Sequence, residues 1–504
     1  MRALMRALLT AILTCAVVAA SSPAATTAYG QAAAGGARPR RTTTTGGSAA
    51  AGRVGSQTSG GAGVCRVAQL AMPGADVGAK INACDAALGA DKPGGEIHVE
   101  GNGTISTFVN LSRGRTLWFH NGTYTLQQAY TGNPSQDIQT ELGMIRYRDG
   151  ATIKGDGWNT IIVEPPITNR PTVFAPYISS VHTDGGYFHG VTRDVTIRDL
   201  QIKGRQTVAS NGTYSTIEIG NSHNMLVENV FLNGTTGNGI TAGGSSGVSS
   251  VGGCGGRALE RECASGVRIV NNRLFQVQNQ GLNVVNGRDV VIANNVIKDH
   301  NRLSGSNGAG IDIETNTVTD TAQNIRVENN VLDFTNSPQP FAGNGINVQS
   351  SGQAVYGPVD VLNNTLVGNT LAEGAVGHMV YGIFVAAGTR RVTVAGNKIQ
   401  RTTNSGIIAY GTGHTIRDNE LVSVGGGGNI ALSLMGTNDS AVRGNKVRIE
   451  RASHGASDVI AEMPGTGANN NIIEGNVADT PPRVVGAASK VTAHRTWATQ
   501  AGRP

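Results

Sequence analysis

Past its first thirty residues the 504-residue sequence has no apolar run long enough to span a bilayer, no Cys-x-x-Cys, and no three-residue glycine period. These absences argue against a stable membrane span, a cysteine-ligated metal module and a collagen-like chain, even though 71 residues are Gly. Charge is scarce as well, at 15% of residues, and the net +6 is not spread along the chain. Arg2, Arg6, Arg38, Arg40, Arg41 and Arg53 account for all of it, because residues 1–63 contain no Lys, Asp or Glu. The remainder is neutral, which leaves no electrostatic footprint for nucleic acid. A hydrophobic share of 39% is enough to build a core.

What is present begins with an address. Arg2 and Arg6 precede an apolar run from Ala7 to Ala20, then small residues, the order of a secretory signal peptide over residues 1–30. A lipidated Cys15 is the alternative; Thr14 before it fits that reading poorly. Residues 31–63 are Ala, Gly, Thr, Ser and Arg, too poor in apolar side chains to offset ordering, and read as a flexible linker. Secretion, or display in the periplasm or on the cell surface, follows. Four cysteines remain after the signal, in two local pairs, and an oxidising compartment favours the disulfides Cys65–Cys84 and Cys254–Cys263.

From about residue 195 a pattern recurs: a β-branched strand, an Asn, one more Ile, Val or Leu, then a loop and Gly-Ile. Val290-Val-Ile-Ala-Asn-Asn295-Val-Ile297 and Ile325-Arg-Val-Glu-Asn-Asn330-Val-Leu332 are two instances. From Asn272 through Asn295, Asn330, Asn364, Asn397, Asn419 and Asn445 to Asn476 the steps are 23, 35, 34, 33, 22, 26 and 31 residues. A floor near 22 with variable additions is one coil plus loop insertions, the signature of a solenoid. Alternation without a helical period makes it a β-solenoid. The Asn is expected at a sharp turn in left-handed conformation, with amides stacked from coil to coil. Residues 64–90, with Ile81, Ala83, Ala86 and Leu88 on one face, predict a capping helix.

This pattern, together with Gly74-Ala-Asp-Val-Gly-Ala-Lys80 and Gly94-Gly95-Glu96-Ile97, resembles the right-handed parallel β-helix proteins of the pectate-lyase-like superfamily over roughly residues 65–480. The expected fold is all-β: a single-stranded right-handed parallel β-helix of about ten coils over residues 64–484, with a short N-terminal capping helix and a tail at 485–504. The resemblance implies three strands per coil, with substrate along the first. That strand is Gly-Ile-x-Val here, and its outward positions run Glu218, Thr241, Asn283, Asp312 and Glu314, Asn347 and Gln349, Phe384, Tyr410, Ala431 and Ser433.

Asp312 and Glu314, two residues apart on one face, suit an acid and base pair or a shared cation. The preceding loop brings Lys298, Asp299, His300 and Arg302 toward the same strand. His300 titrates near neutrality and Arg302 can clasp a sugar carboxylate. The catalytic set expected is therefore Asp312, Glu314, His300 and Arg302, with Asn283, Asn347, Lys298, Phe384 and Tyr410 binding substrate, and Glu218 and His223 next in line. In an elimination, His300 or Lys298 would be the base at the sugar C5. The resemblance implies an exported lyase, epimerase or hydrolase on uronate-containing polysaccharide; the alternative is a non-catalytic surface or matrix protein that binds polysaccharide. A monomer is expected. No definite cofactor is called for; calcium on Asp312 and Glu314 is the one to test. The chain departs from the family in lacking the clustered calcium aspartates of pectate lyases and the Asp-Asp motif of the hydrolases. Lys298-Asp-His-Asn301 matches the Asp-Pro-His-Asp motif of alginate epimerases only in part.

Overall fold

The computed structural model describes residues 63–89, 92–127, 143–166, 172–177, 192–205, 215–243, 263–300, 308–316, 320–337, 343–350, 355–368, 379–422, 424, 430–448 and 459–496. The signal peptide, residues 31–62 of the linker, Cys254 and Arg302 lie outside the described residues.

Among the described residues the strands form two sheets, one of twelve strands and one of 29, and every pairing is parallel. In the twelve-stranded sheet each coil contributes one rung, from Val109–Asn110 to Ile460–Glu462, in strict chain order. In the larger sheet most coils contribute two short strands separated by a corner, such as Arg268–Val270 and Arg273–Phe275, while Thr196–Lys203 and Leu226–Asn233 run through the corner as single strands. The chain therefore winds as a parallel β-helix with three strand faces, and twelve first-face rungs exceed the expected ten. Strands Lys490–Thr492 and Arg495–Thr496 continue the larger sheet past residue 484, into the segment read as a tail. No helix among the described residues is long and apolar enough to cross a membrane.

Register turns alternation into columns. Val227, Ile269, Ile292, Val327, Val361 and Val394 stack inward on one face, each fully buried, and Leu274, Ile297, Leu332 and Leu366 do so on the next. Equivalent inward positions one above another give a continuous core without any two coils sharing a sequence.

The asparagines behave differently from expectation. Asn330 is not left-handed; its predecessor Asn329 is, at φ 55°, as are Asn271, Asn294, Asn363 and Asp418, with Gly396, Gly444 and Gly475 in the same row. Residues of this kind cross to positive φ at low cost. Asn330 instead turns its amide inward, fully buried. Its backbone N–H and Nδ2 both donate to Asn364 Oδ1 at 2.9 Å, and Nδ2 also donates to Ile292 O. The same bonds recur at every asparagine of the file from Asn272 to Asn445, closing on Asn476. So the turn and the ladder are neighbouring residues with separate duties.

The Gly-Ile pair has a steric origin. At Gly310 a Cβ would lie 2.7 Å from Leu332 Cδ2, and at Gly382 2.5 Å from Ile399 Cγ2. The corner into the first face brings the backbone against the buried Leu or Ile of the third strand, and only a hydrogen fits.

The capping helix, α1 (Val77–Ala87), is present, but its buried residues are Gly78, Ile81, Cys84 and Asp85, and Ala86 is exposed. The expected face mixed spacings that a 3.6-residue turn does not superimpose. Asp76 caps it, accepting from Gly78 N at 2.8 Å, and also binds the Thr107 hydroxyl at 2.6 Å. Cys84 is disulfide-bonded to Cys65, and buried Arg115 donates to Asp85 at 2.8 Å, so the cap is fastened twice. Cys263 is also disulfide-bonded.

Candidate functional site

The outward row of the twelve-stranded sheet follows the expected register at Glu218, Thr241, Asn283, Asp312, Asn347 and Phe384, and Glu314 pairs with Gln349. The next partner of Phe384 is Ile408, so Tyr410 stands one position farther along the same face. Ile311 and Ile313 point into the core, which leaves Asp312 and Glu314 on the outer side.

These acids are outward but not exposed: Asp312 is 2% accessible. Four amide side chains enclose the pair. Gln280 Nε2 donates to Asp312 Oδ2 at 2.6 Å, and Gln349 Nε2 lies 3.0 Å from Asp312 Oδ1 and 3.2 Å from Glu314 Oε2. Asn283 Nδ2 reaches Gln280 Oε1 at 2.6 Å and, more loosely, Glu314 Oε1. Asn347 Oδ1 accepts from Asn344, and Asn283 Oδ1 is buried without a hydrogen-bond donor. No ion pair among the described residues involves either acid.

Burial is the main reason that Asp312 is held well above the usual carboxylate range, with the charge of Glu314 adding to it; the amides of Gln349, Asn347 and Gln280 pull it back. Glu314 is raised by burial too, against its amide partners Asn283, Gln280 and Asn316, with Asp320 pushing it further. Two close, buried carboxyls with one amide nitrogen between them resist double ionisation.

The loop residues expected beside them disperse. His300 is fully buried and stacks on Phe334 with ring centroids 5.8 Å apart, its ring engaging the backbone of Asn279 and Ala309. Burial pushes its pKa down to about 4, so it is neutral packing at the entrance to the Asp312 strand and not an exposed base. Lys298 ends a strand of the other sheet, where its ammonium pairs with Asp333 at 3.5 Å. Asp299 takes a left-handed turn, φ 49°, and accepts from Asn336 N at 3.1 Å. Glu218 folds back on Gly220 N, and His223 bonds Ser265.

Aromatics continue the face. Phe384 lies one rung beyond Asn347, with Tyr381 at 5.6 Å and Tyr410 at 6.0 Å between ring centroids, all three half-buried. The acid pair and a shelf of three rings thus share one face, with the Asn347 and Gln349 rung between them. Gln280 was missed in the sequence because alternation counted back from Asn283 turns position 281 outward and position 280 inward. That count fails at the corner: Gly281 and Leu282 are both buried, and Gln280 reaches the outer face. Its signal was the polar residue before Gly, repeated at Asn238 and Asn344.

A family model described as the right-handed β-helix region matches residues 177–399. The A-module of the Azotobacter vinelandii mannuronan C-5 epimerase AlgE6 is similar at 15% identity, covering 86% of this chain and 98% of its own, with a TM-score of 0.52. The tailspike protein of E. coli bacteriophage HK620, solved with a pentasaccharide, is similar at 14% identity, covering 83% and 77%, with a TM-score of 0.50. No curated protein matches the chain in sequence.

Proposed function

From a right-handed parallel β-helix whose first face carries a buried acid pair and an aromatic shelf, we propose that this protein binds polysaccharide along that face and hydrolyses it with Asp312 and Glu314. The buried, outward-facing pair of carboxyls carries the reading, since glycosidic cleavage needs two carboxyls of unequal proton affinity, one protonated and one ionised. Asp312, the more deeply buried, gives its proton to the leaving glycosidic oxygen. Glu314 takes the proton of the water that adds at the anomeric carbon. Phe384, Tyr381 and Tyr410 offer faces for sugar rings, and the Asn283 acceptor suits a sugar hydroxyl.

Elimination at C5 is less well supported. His300 is buried and neutral, and Lys298 is paired on another sheet. Calcium fits poorly as well, because the groups facing the carboxylates are amide N–H donors rather than oxygens. A disulfide between Cys65 and Cys84 supports an oxidising, exported setting, and the solved relatives named above act on mannuronan or were captured with an oligosaccharide.

The test is incubation with pectin, alginate, glycosaminoglycans and neutral glycans, reading both reducing ends and the ultraviolet absorbance of unsaturated uronates. Hydrolysis predicts reducing ends without absorbance, falling roughly 100-fold or more in Asp312→Asn and Glu314→Gln. Absorbance would reassign the chemistry to elimination. Retained polysaccharide binding with neither product would make the protein a binding rod.

A further inference from the structure

The outer face of the larger sheet, at the N-terminal end of the stack, carries a second cluster that the acid pair does not involve. Strands Glu96–Val99, Thr116–Phe119 and Thr152–Lys154 stack so that His98, Trp118 and Lys154 share one outward column. His120 follows the second strand and Asp156 the third. Four side chains then run in a line: Glu96 Oε2 to His98 Nε2 at 2.9 Å, His98 Nδ1 to His120 Nε2 at 3.0 Å, and His120 Nδ1 to Asp156 Oδ2 at 3.0 Å.

Hydrogen-bond accounting makes this line incomplete. Ionised carboxylates only accept, so Glu96 fixes the proton of His98 on Nε2, and Asp156 fixes that of His120 on Nδ1. Asp156 is itself held by Trp118 Nε1 at 2.6 Å and Asn121 N at 3.2 Å. The two nitrogens that face each other are then both bare lone pairs. Two acceptors at 3.0 Å repel unless something positive lies between them, either an extra proton or a metal ion. A third ligand is in place: atoms of His98, His120 and Glu100 all lie within 4.8 Å of one another. Glu100 holds Arg66 through Oε1 at 2.5 Å, while its Oε2 is buried without a hydrogen-bond partner.

We propose that His98 Nδ1, His120 Nε2 and Glu100 bind a divalent transition-metal ion of the zinc class, with Glu96 and Asp156 behind the rings orienting them. Two nitrogens and a carboxylate are a zinc-type donor set, and carboxylates on the outer N–H of each ring are the usual means of aiming imidazole lone pairs at a metal. Metal–nitrogen bonds of about 2.0–2.1 Å at a tetrahedral angle separate nitrogens by roughly 3.3 Å. The facing pair needs to part by only a few tenths of an ångström. His120 is 24% accessible, which gives the ion a way in and leaves a position open to water. Because the ligands come from two successive coils, the ion would also cross-link the first turns of the solenoid.

The test uses the untagged full chain after chelator treatment. Calorimetric titration with zinc is expected to show one equivalent bound, cobalt to give the visible bands of a four- or five-coordinate site, and melting temperature to rise with zinc. His120→Ala should abolish all three, and Glu96→Gln or Asp156→Asn should weaken binding about 10–100-fold. Circular dichroism melts of each apo variant establish that it folds. No zinc binding by the folded wild-type chain, or equal binding by a folded His98→Ala/His120→Ala double variant, would overturn the site and leave a shared proton between the rings.

Discussion

Glu164 is completely buried, and its oxygens meet the Thr216 hydroxyl at 2.9 Å and the Thr236 N–H at 3.2 Å rather than any cation. Burial pushes its pKa up to about 8 against those hydrogen bonds, which act to lower it. Between its ordinary value near 4.5 and about 8 the folded protein therefore holds a proton that the unfolded chain releases, so Glu164 contributes stability at low pH that is lost as pH rises through that window. His300 and His414, pushed down to about 4 by burial, work in the opposite sense, losing stability as pH falls below about 6.5. The difference between wild type and Glu164→Gln isolates the carboxyl: the melting temperature of the wild type should fall more steeply from pH 6.5 to 8 than that of the variant. Parallel curves across that range would show Glu164 to be hydrated and ordinary. None of this was legible in the sequence, where Glu164 sits in an irregular early coil. The His98–His120 pair was equally hidden, because its members meet only when two coils of unequal content are stacked.

At the scale of the coil, duties divide between adjacent residues, and paired substitutions can separate them. Asn330→Val removes the acceptor of Asn295 and the donor to Ile292 O, all of it buried. Unsatisfied groups of this kind cost about 1–3 kcal/mol each, so a loss of roughly 2–4 kcal/mol is expected in chemical denaturation. Asn329→Gly should change stability by less than about 1 kcal/mol, since Gly already serves that turn at 396, 444 and 475. If the two variants melt alike, the division is wrong. Gly345→Ala should also destabilise, by about 1–3 kcal/mol, because the new methyl would press on Leu366 at the corner. The fold was legible because these two signals repeat: an Asn that needs partners above and below, and a Gly that has no room for Cβ. Which residue of each Asn pair turns was not legible, since both tolerate positive φ. The outward row was legible for Asn283, Asp312 and Asn347 because period 2 survives inside a strand. It failed at Gln280 because the corner does not keep that period, and for His300 because a charged loop gives no sign of which member folds inward.

Along the stack each coil packs mainly on its neighbours, so stability is close to a sum of local terms and the ends matter most. The disulfide Cys65–Cys84 closes a 19-residue separation between the first strand and the cap. Cys84→Ser should lower stability by about 3 kcal/mol, with hydrogen exchange accelerating in residues 64–119 ahead of later coils. Uniform acceleration along the chain would mean that the solenoid opens as one unit. The asparagine ladder spans the same length with a fixed sense. From Asn272 to Asn445 every side-chain carbonyl accepts from the coil before, and every Nδ2 donates one N–H to the asparagine of the coil that follows and the other to a backbone carbonyl of the coil before. Parallel strands alternate their peptide dipoles and nearly cancel them, but a file of side-chain amides aligned head to tail does not cancel, and each rung polarises the next. The side-chain carbonyls of the file thus share one sense along the axis of the stack, their oxygens all turned toward the Asn272 end.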